Sequence, residues 1–188
     1  MQRSDIMQLR SVRLPEDFEY FEDLYYEAFP EYERIPLEEL YEFRAEDKVD
    51  ISLLDDNGKP VGLIIMYYSD GIPLLSYYAV DHRMRGGGYG TRGIEAIAQV
   101  YPGVIIEIES TYEEDAEDIE TRRRRKIFYE RNGFVDTPFL VNYFGIEMEL
   151  MTTAEDFTLD DYFDSYYRLY AEDYVADNIQ LIRTLDNI

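Results

Sequence analysis

A mixed α/β fold (α+β class) is what this sequence predicts: an antiparallel meander leads into one β-α-β unit, and the chain closes with a helical extension. Three observations carry that expectation. The stretch 50–80, "DISLLDDNGKPVGLIIMYYSDGIPLLSYYAV", reads as three apolar runs joined by Asn57-Gly58 and Asp70-Gly71. A glycine-rich stretch at 83–93, "RMRGGGYGTRG", separates the last run from a helical pattern and then the apolar run "VIIEIE". From 153 onward, Tyr162, Phe163, Tyr166, Leu169 and Tyr170 recur at helical spacing.

Taken in order, residues 7–13 suit a first strand. Pro15 and the early acids of "LPEDFEYFEDLYYEAFP" suit a helix start, and Phe18, Phe21, Leu24, Tyr25 and Ala28 fall on one helical face. Pro30 and Pro36 separate this helix from a shorter one at 37–46. The three strands follow, and short turns between them imply antiparallel pairing. After the glycines a helix runs through "GIEAIAQVY" to Pro102-Gly103, then a strand at 104–109. Residues 115–131 favour helix, with Asn132-Gly133 as its stop, and final strands are expected at 134–137 and 143–151. A right-handed crossover is expected for the β-α-β unit. Residues 1–152 are expected to form the main domain, and 153–188 an extension of one or two helices.

Composition narrows the function. With 188 residues, 46% hydrophobic and 15% aromatic, the chain is long and apolar enough for one core. Its 41 acidic and 18 basic residues give a formal net charge of −23, which repels nucleic acid and anionic membranes and favours cationic partners. Nine of the eighteen basic residues nevertheless lie between Arg83 and Arg131. There they serve an anionic ligand or pair with neighbouring acids. The absence of Cys excludes disulfides, thiolate catalysis and Cys-ligated metal, and a single His excludes a His-rich zinc site, so no metal is expected. No run reaches 18 uncharged apolar residues and the start, "MQRSDIMQLRSVR", has no apolar leader, so a cytoplasmic protein is expected.

A loop that ends a strand and opens a helix presents unpaired N–H groups at the positive end of the helix dipole, and glycine lets a phosphate approach them. Gly86, Gly87, Gly88 and Gly90 supply that approach, and Arg83 or Arg85 a charge-assisted contact. The expected ligand carries phosphate. Gly88, Gly90 and Gly93 also match the dinucleotide pattern G-x-G-x-x-G, with Glu107 or Glu109 as a ribose partner. Against that reading, "DHRMRG" stands between the strand and the loop, and hairpins rather than βα units come first.

Started at Arg85, the same residues read Arg-Gly-Gly-Gly-Tyr-Gly and fit Arg-x-x-Gly-x-Gly; the segment "KIFYERNGF" at 126–134 follows the next strand. In these two segments, and in their order, the sequence resembles the GNAT superfamily of acyl-CoA-dependent N-acyltransferases, over roughly residues 7–151. The resemblance implies a GNAT-like mixed sheet with acetyl-CoA as cosubstrate and direct attack by a primary amine. It implies that the backbone of Arg85, Gly86, Gly87, Gly88, Tyr89, Gly90 and Thr91 holds the CoA diphosphate. By the same resemblance the strand residues Tyr78, Ala79 and Val80 pair with the pantetheine arm, and Tyr129 gives a proton to the departing thiolate. The sequence departs from the family pattern where an Asn and a small residue are usual, at Arg122 and Arg125; these reach the CoA phosphates or turn to solvent.

The base that takes the amine proton is, in such proteins, often a carboxylate on the fourth or fifth strand. Glu107 and Glu109 lie two apart, on one face of an otherwise apolar strand, where desolvation or mutual repulsion raises a carboxyl pKa. An edge or strand end open to water is the plain alternative, and His82 is a second base by chemistry. An aromatic, anionic acceptor mouth is expected from Tyr25, Tyr26, Tyr32 and Tyr41 with Glu27, Glu31 and Glu33, suited to a cationic small-molecule, polyamine-like or peptide amine. The tail leaves a homodimer open. The alternative functions are a non-catalytic CoA-binding or regulatory module built on the acidic, tyrosine-rich tail, and a dinucleotide-binding protein.

Overall fold

A computed structural model describes residues 7–84 and 86–185. The chain forms two compact units, Met1–Tyr68 with Leu75–Pro102, and Ser69–Leu74 with Gly103–Ile188. The architecture is mixed α/β, with mostly antiparallel strand pairs and, among the described residues, six α-helices.

The first unit holds β1 (Gln8–Ser11), α1 (Pro15–Ala28), α2 (Leu37–Ala45), β2 (Val49–Asp56), β3 (Lys59–Tyr67), β4 (Leu74–Val80, all but its first residue) and α3 (Tyr89–Val100). Its strands follow the order β1-β2-β3-β4, with Gln8 opposite Asp55 and Val49 opposite Tyr67. Leu53, Leu54, Leu63, Ile64 and Ile65 are fully buried. Consecutive residues of a strand point to opposite faces, so both faces are covered here, by α1 against β3, α2 against β2 and α3 against β1. The start of α1 is fixed by Asp17, whose carboxylate accepts the N–H groups of Arg13 (3.1 Å) and Leu14 (3.0 Å) and the Arg10 guanidinium (2.6 Å). The helix buries Phe21, Leu24 and Tyr25 as the spacing predicts, while Ala28 is exposed.

The second unit holds β5 (Ile105–Glu109), α4 (Ile119–Arg131), β6 (Val135–Tyr143), β7 (Ile146–Thr152), α5 (Leu159–Tyr167), α6 (Glu172–Asn178) and β8 (Ile179–Thr184). Leu74 pairs in parallel with Ile105; β5 then pairs antiparallel with β7, β7 with β6, and β6 with β8.

Four boundaries differ from the sequence reading, each for a physical reason. The penultimate strand does not stop at 137, because the register shift between Asp136 and Leu140 absorbs Pro138, which cannot donate to a ladder. It runs on to Tyr143 and turns at Phe144-Gly145, where Phe144 takes a left-handed φ of 49°. Asp70-Gly71 is not a two-residue turn but lies within the longer connection, 68–73, between β3 and β4. Its segment is held by α5 instead, with the Asp70 N–H donating to Asp164 (2.6 Å) and the Ile72 N–H to Asp161 (3.3 Å). Finally, the tail adds β8 after its two helices, and residues 180–184 of that strand are exposed, so no alternation marks them in the sequence. Among the described residues no helix is long and apolar enough to cross a membrane.

Candidate functional site

In the first unit the glycine-rich loop begins where β4 ends. Asp81 is buried, and its carboxylate accepts the Arg83 backbone N–H (2.9 Å), the Arg83 guanidinium (Nη2 at 2.6 Å) and the Tyr20 hydroxyl (3.3 Å). Arg83 beside it holds the Asp81 carboxyl down at about 2. Arg83 is therefore engaged within the protein rather than extended as a phosphate contact. His82 is exposed and pairs with Glu27. Arg85 lies outside the described residues.

Gly86, Gly87 and Gly88 are exposed. Gly88 caps α3 from a left-handed conformation, φ 72° and ψ 9°, which few other residues adopt without strain. Arg92 donates its N–H to the Gly88 carbonyl at 3.1 Å, and the amides of Tyr89, Gly90 and Thr91, which precede it in the first turn, have no backbone acceptor among the described residues. Arg92 reaches back to the β2–β3 turn, with Nη2 2.7 Å from Asp56 Oδ1, and lies over the Tyr89 ring at 5.2 Å. That pairing holds the Asp56 carboxyl below its ordinary range. From β4, Tyr78 donates its hydroxyl to the Gly90 carbonyl at 2.5 Å; Ala79 is buried and Val80 half-buried beside it. The structure thus brings Tyr78, the exposed glycines and the first turn of α3 together. The guanidiniums of Arg83 and Arg92 are both occupied by carboxylates.

The second unit holds the expected acid–base residues. The Glu107 carboxylate accepts the hydroxyls of Tyr162 (2.8 Å) and Tyr166 (2.6 Å), both from α5. Burial pushes the Glu107 carboxyl up and the two phenols draw it partly back, leaving it raised. Glu109 instead meets Arg125 at 2.8 Å and Arg122 at 3.7 Å. Arg122 also grips Glu113 (2.6 Å), Asp118 (2.9 Å) and the Ser110 carbonyl (3.2 Å), so it is neither solvent-turned nor unengaged. One turn further along α4, Lys126 bridges Glu149 (2.6 Å) and Asp136 (2.9 Å). Tyr129 stands between the rings of Phe128 and Phe134, each 5.2 Å away. Burial pushes its phenol up to about 12, and its hydroxyl has no hydrogen-bond partner among the described residues.

The expected acceptor mouth is only partly open. Tyr25 is fully buried and donates to the Ile35 carbonyl, so it is a core residue; Tyr41 donates to Glu22 at 2.8 Å. Tyr26 and Tyr32 are 55% and 76% exposed. Five residues were given no site role from the sequence: Asp56, Asp81, Arg92, Tyr162 and Tyr166. The i,i+4 spacing of the two phenols was the signal available. Among the described residues no group of three or more His, Cys, Asp or Glu is placed to hold a metal ion.

The fold is of a mixed α/β class with an exposed glycine loop between β4 and α3. Residues 47–136, which contain both that loop and Tyr129, match the acetyltransferase (GNAT) domain. Solved structures share the fold. A GNAT-family protein from Bacteroides thetaiotaomicron aligns at 24% identity over 89% of this chain and 97% of its own, with a TM-score of 0.71. An aminoglycoside 6'-N-acetyltransferase complexed with coenzyme A aligns at 18% identity over 78% and 95%, TM-score 0.61. A GNAT acetyltransferase from Elizabethkingia anophelis with acetyl-CoA bound aligns at 15% identity over 80% and 98%, TM-score 0.51. No curated protein matches the chain.

Proposed function

We propose that this protein moves an acetyl group from acetyl-CoA to a primary amine that carries positive charge, by direct attack of the amine on the thioester. The observation that carries the reading is the opening of α3: exposed glycines and bared amides of Tyr89, Gly90 and Thr91, with Arg83 and Arg92 paired elsewhere. Such a turn suits a diphosphate held by backbone dipoles. Arg85 through Thr91 are the proposed diphosphate ligands, and the backbone of Tyr78, Ala79 and Val80 the proposed partner of the pantetheine arm.

In the reaction the acceptor ammonium first gives up a proton, the neutral amine nitrogen then forms a bond to the thioester carbon, the carbon–sulfur bond breaks with the sulfur leaving as thiolate, and the acylated nitrogen loses its extra proton to give the amide. The amine proton needs a base. Glu107 is the better candidate, because burial raises its carboxyl, whereas Glu109 is held in ion pairs with Arg125 and Arg122. Arg125, paired with Glu109, is read as a structural partner more than as a phosphate ligand. Tyr129 is assigned to the departing sulfur. A thiol of ordinary acidity, about 8.5, is too strong an acid for its thiolate to take the proton of a phenol pushed up to about 12. The phenol therefore works as a hydrogen-bond donor to the thiolate, not as a full proton donor.

The net charge of −23 and the exposed Tyr26 and Tyr32 among Glu27, Glu31 and Glu33 favour a cationic acceptor. The tail, 153–188, is read as an extension that braces the base through Tyr162 and Tyr166. A second reading has one observation in its favour: both candidate carboxylates are already occupied, Glu107 by phenols and Glu109 by arginines, as in a CoA-binding module without turnover. Calorimetry with acetyl-CoA followed by thiol release over a panel of amines tests both readings. Binding with amine-dependent release supports transfer, binding without release supports the module, and no binding ends both.

A further inference from the structure

We propose that the side chain of Tyr78 is a positioning residue for the diphosphate-binding amides, a role that rests on the acetyl-CoA reading above. The Tyr78 hydroxyl donates to the carbonyl of Gly90, in the first turn of α3, at 2.5 Å. It can sit there because residue 93 is glycine. A Cβ at that position would stand 2.4 Å from the Tyr78 hydroxyl and 3.0 Å from Cδ1 of Leu54. The need for glycine at 93 is thus one of space, in contrast to Gly88, whose need is conformational.

The consequence for the ligand follows from the geometry of one peptide unit. The carbonyl of Gly90 and the N–H of Thr91 belong to the same planar trans peptide and point in opposite directions. A phenol that fixes the carbonyl from the β4 side therefore also fixes the aim of the Thr91 N–H, one of the three amides at the start of α3 without a backbone acceptor among the described residues. Donation to the carbonyl also polarises the peptide and makes that N–H a stronger donor. Neither effect requires Tyr78 to touch the ligand with its side chain. The backbone of the same residue is the part already assigned to the pantetheine arm, and the two roles are separable by choice of acyl donor.

The test compares wild type with Tyr78→Phe, which keeps the ring and removes only the hydroxyl, using two donors: acetyl-CoA and acetyl-pantetheine, which has the thioester and arm without the diphosphate. Loss of one hydrogen bond should raise the Kd and KM for acetyl-CoA roughly 3- to 10-fold, leave kcat within about twofold, and leave the KM for acetyl-pantetheine unchanged. A Gly93→Ala variant should show the same donor-selective loss by displacing the phenol, and adding Tyr78→Phe to it should cause no further loss. Thermal melting of each variant checks that the fold is retained. Equal losses with both donors, or an unchanged Kd for acetyl-CoA, overturn the positioning role while leaving the proposed function standing. Failure of the wild-type chain to bind acetyl-CoA overturns both.

Discussion

The hydroxyl of Tyr166 donates to the carboxylate of Glu107 at 2.6 Å, across the space between α5 and β5. Burial raises the Glu107 carboxyl and this bond, with that of Tyr162, lowers it. A base acts when deprotonated, so the acidic limb of kcat/KM against pH reports its pKa. Tyr166→Phe removes a stabilising donor from the charged form, and the acidic limb should move to higher pH. Glu107→Gln should lower kcat/KM by about 100-fold or more and flatten that limb. An acidic limb that stays in place in Tyr166→Phe removes Glu107 from the role of base.

Tyr129→Phe keeps the packing against Phe128 and Phe134 and deletes only a hydroxyl without a protein partner among the described residues. Hydrogen bonds to charged groups are worth more than neutral ones, so kcat should fall roughly 10- to 100-fold with little change in acetyl-CoA Kd. Steady-state kinetics with calorimetry of the variant checks this. Full turnover would leave Tyr129 as a core aromatic alone.

Gly88→Glu places a carboxylate at the mouth of the diphosphate loop. A Cβ at this position would meet nothing within 4 Å, so the variant costs only the strain of a left-handed non-glycine residue, about 1 kcal/mol. Its acetyl-CoA affinity should nevertheless fall by at least about tenfold, because the new charge repels the diphosphate where the amides would receive it. Circular dichroism and calorimetry on one sample separate the two effects.

Asp81 predicts a response to acid. Its carboxyl is held at about 2 against an ordinary 3.8, so its contribution to stability is complete above 3.8 and is lost as pH falls from there through 2. The contribution is on the order of 2 kcal/mol for this buried group. Melting temperatures measured across that window should fall for the wild type. Asp81→Asn should be less stable at neutral pH and show a shallower fall, and equal slopes would assign the acid response to other carboxylates.

The helices and the meander were legible because their apolar spacing is strong and their stops, Pro30, Asn57-Gly58 and Asn132-Gly133, are local signals. The glycine loop was legible for the same reason. The partners of its charges were not: Arg92 finds Asp56 from a turn thirty-six positions away, and Glu107 finds phenols of the tail. Such pairings depend on which elements fold against each other, which no local pattern encodes. Arg122 and Arg125 looked like phosphate ligands or a solvated face because a run of four arginines covers every side of a helix, whereas in the fold two of them close on Glu109. Tyr25 was counted in the acceptor mouth for its residue type, although its spacing already put it on the apolar face of α1, where the fold buries it.

The engagement of Arg83 and Arg92 by Asp81 and Asp56 has an effect on ionic strength dependence. Ligand anions gripped by mobile guanidiniums dissociate as electrolyte is added, since the ions compete for the same charges. On the proposed function the grip comes from neutral amide dipoles, while the chain as a whole, at −23, repels an anionic carrier at long range. Added sodium chloride screens that repulsion over distances beyond about 10 Å and barely touches short amide contacts. Acetyl-CoA should therefore bind as tightly, or more tightly, in moderate salt than in dilute buffer.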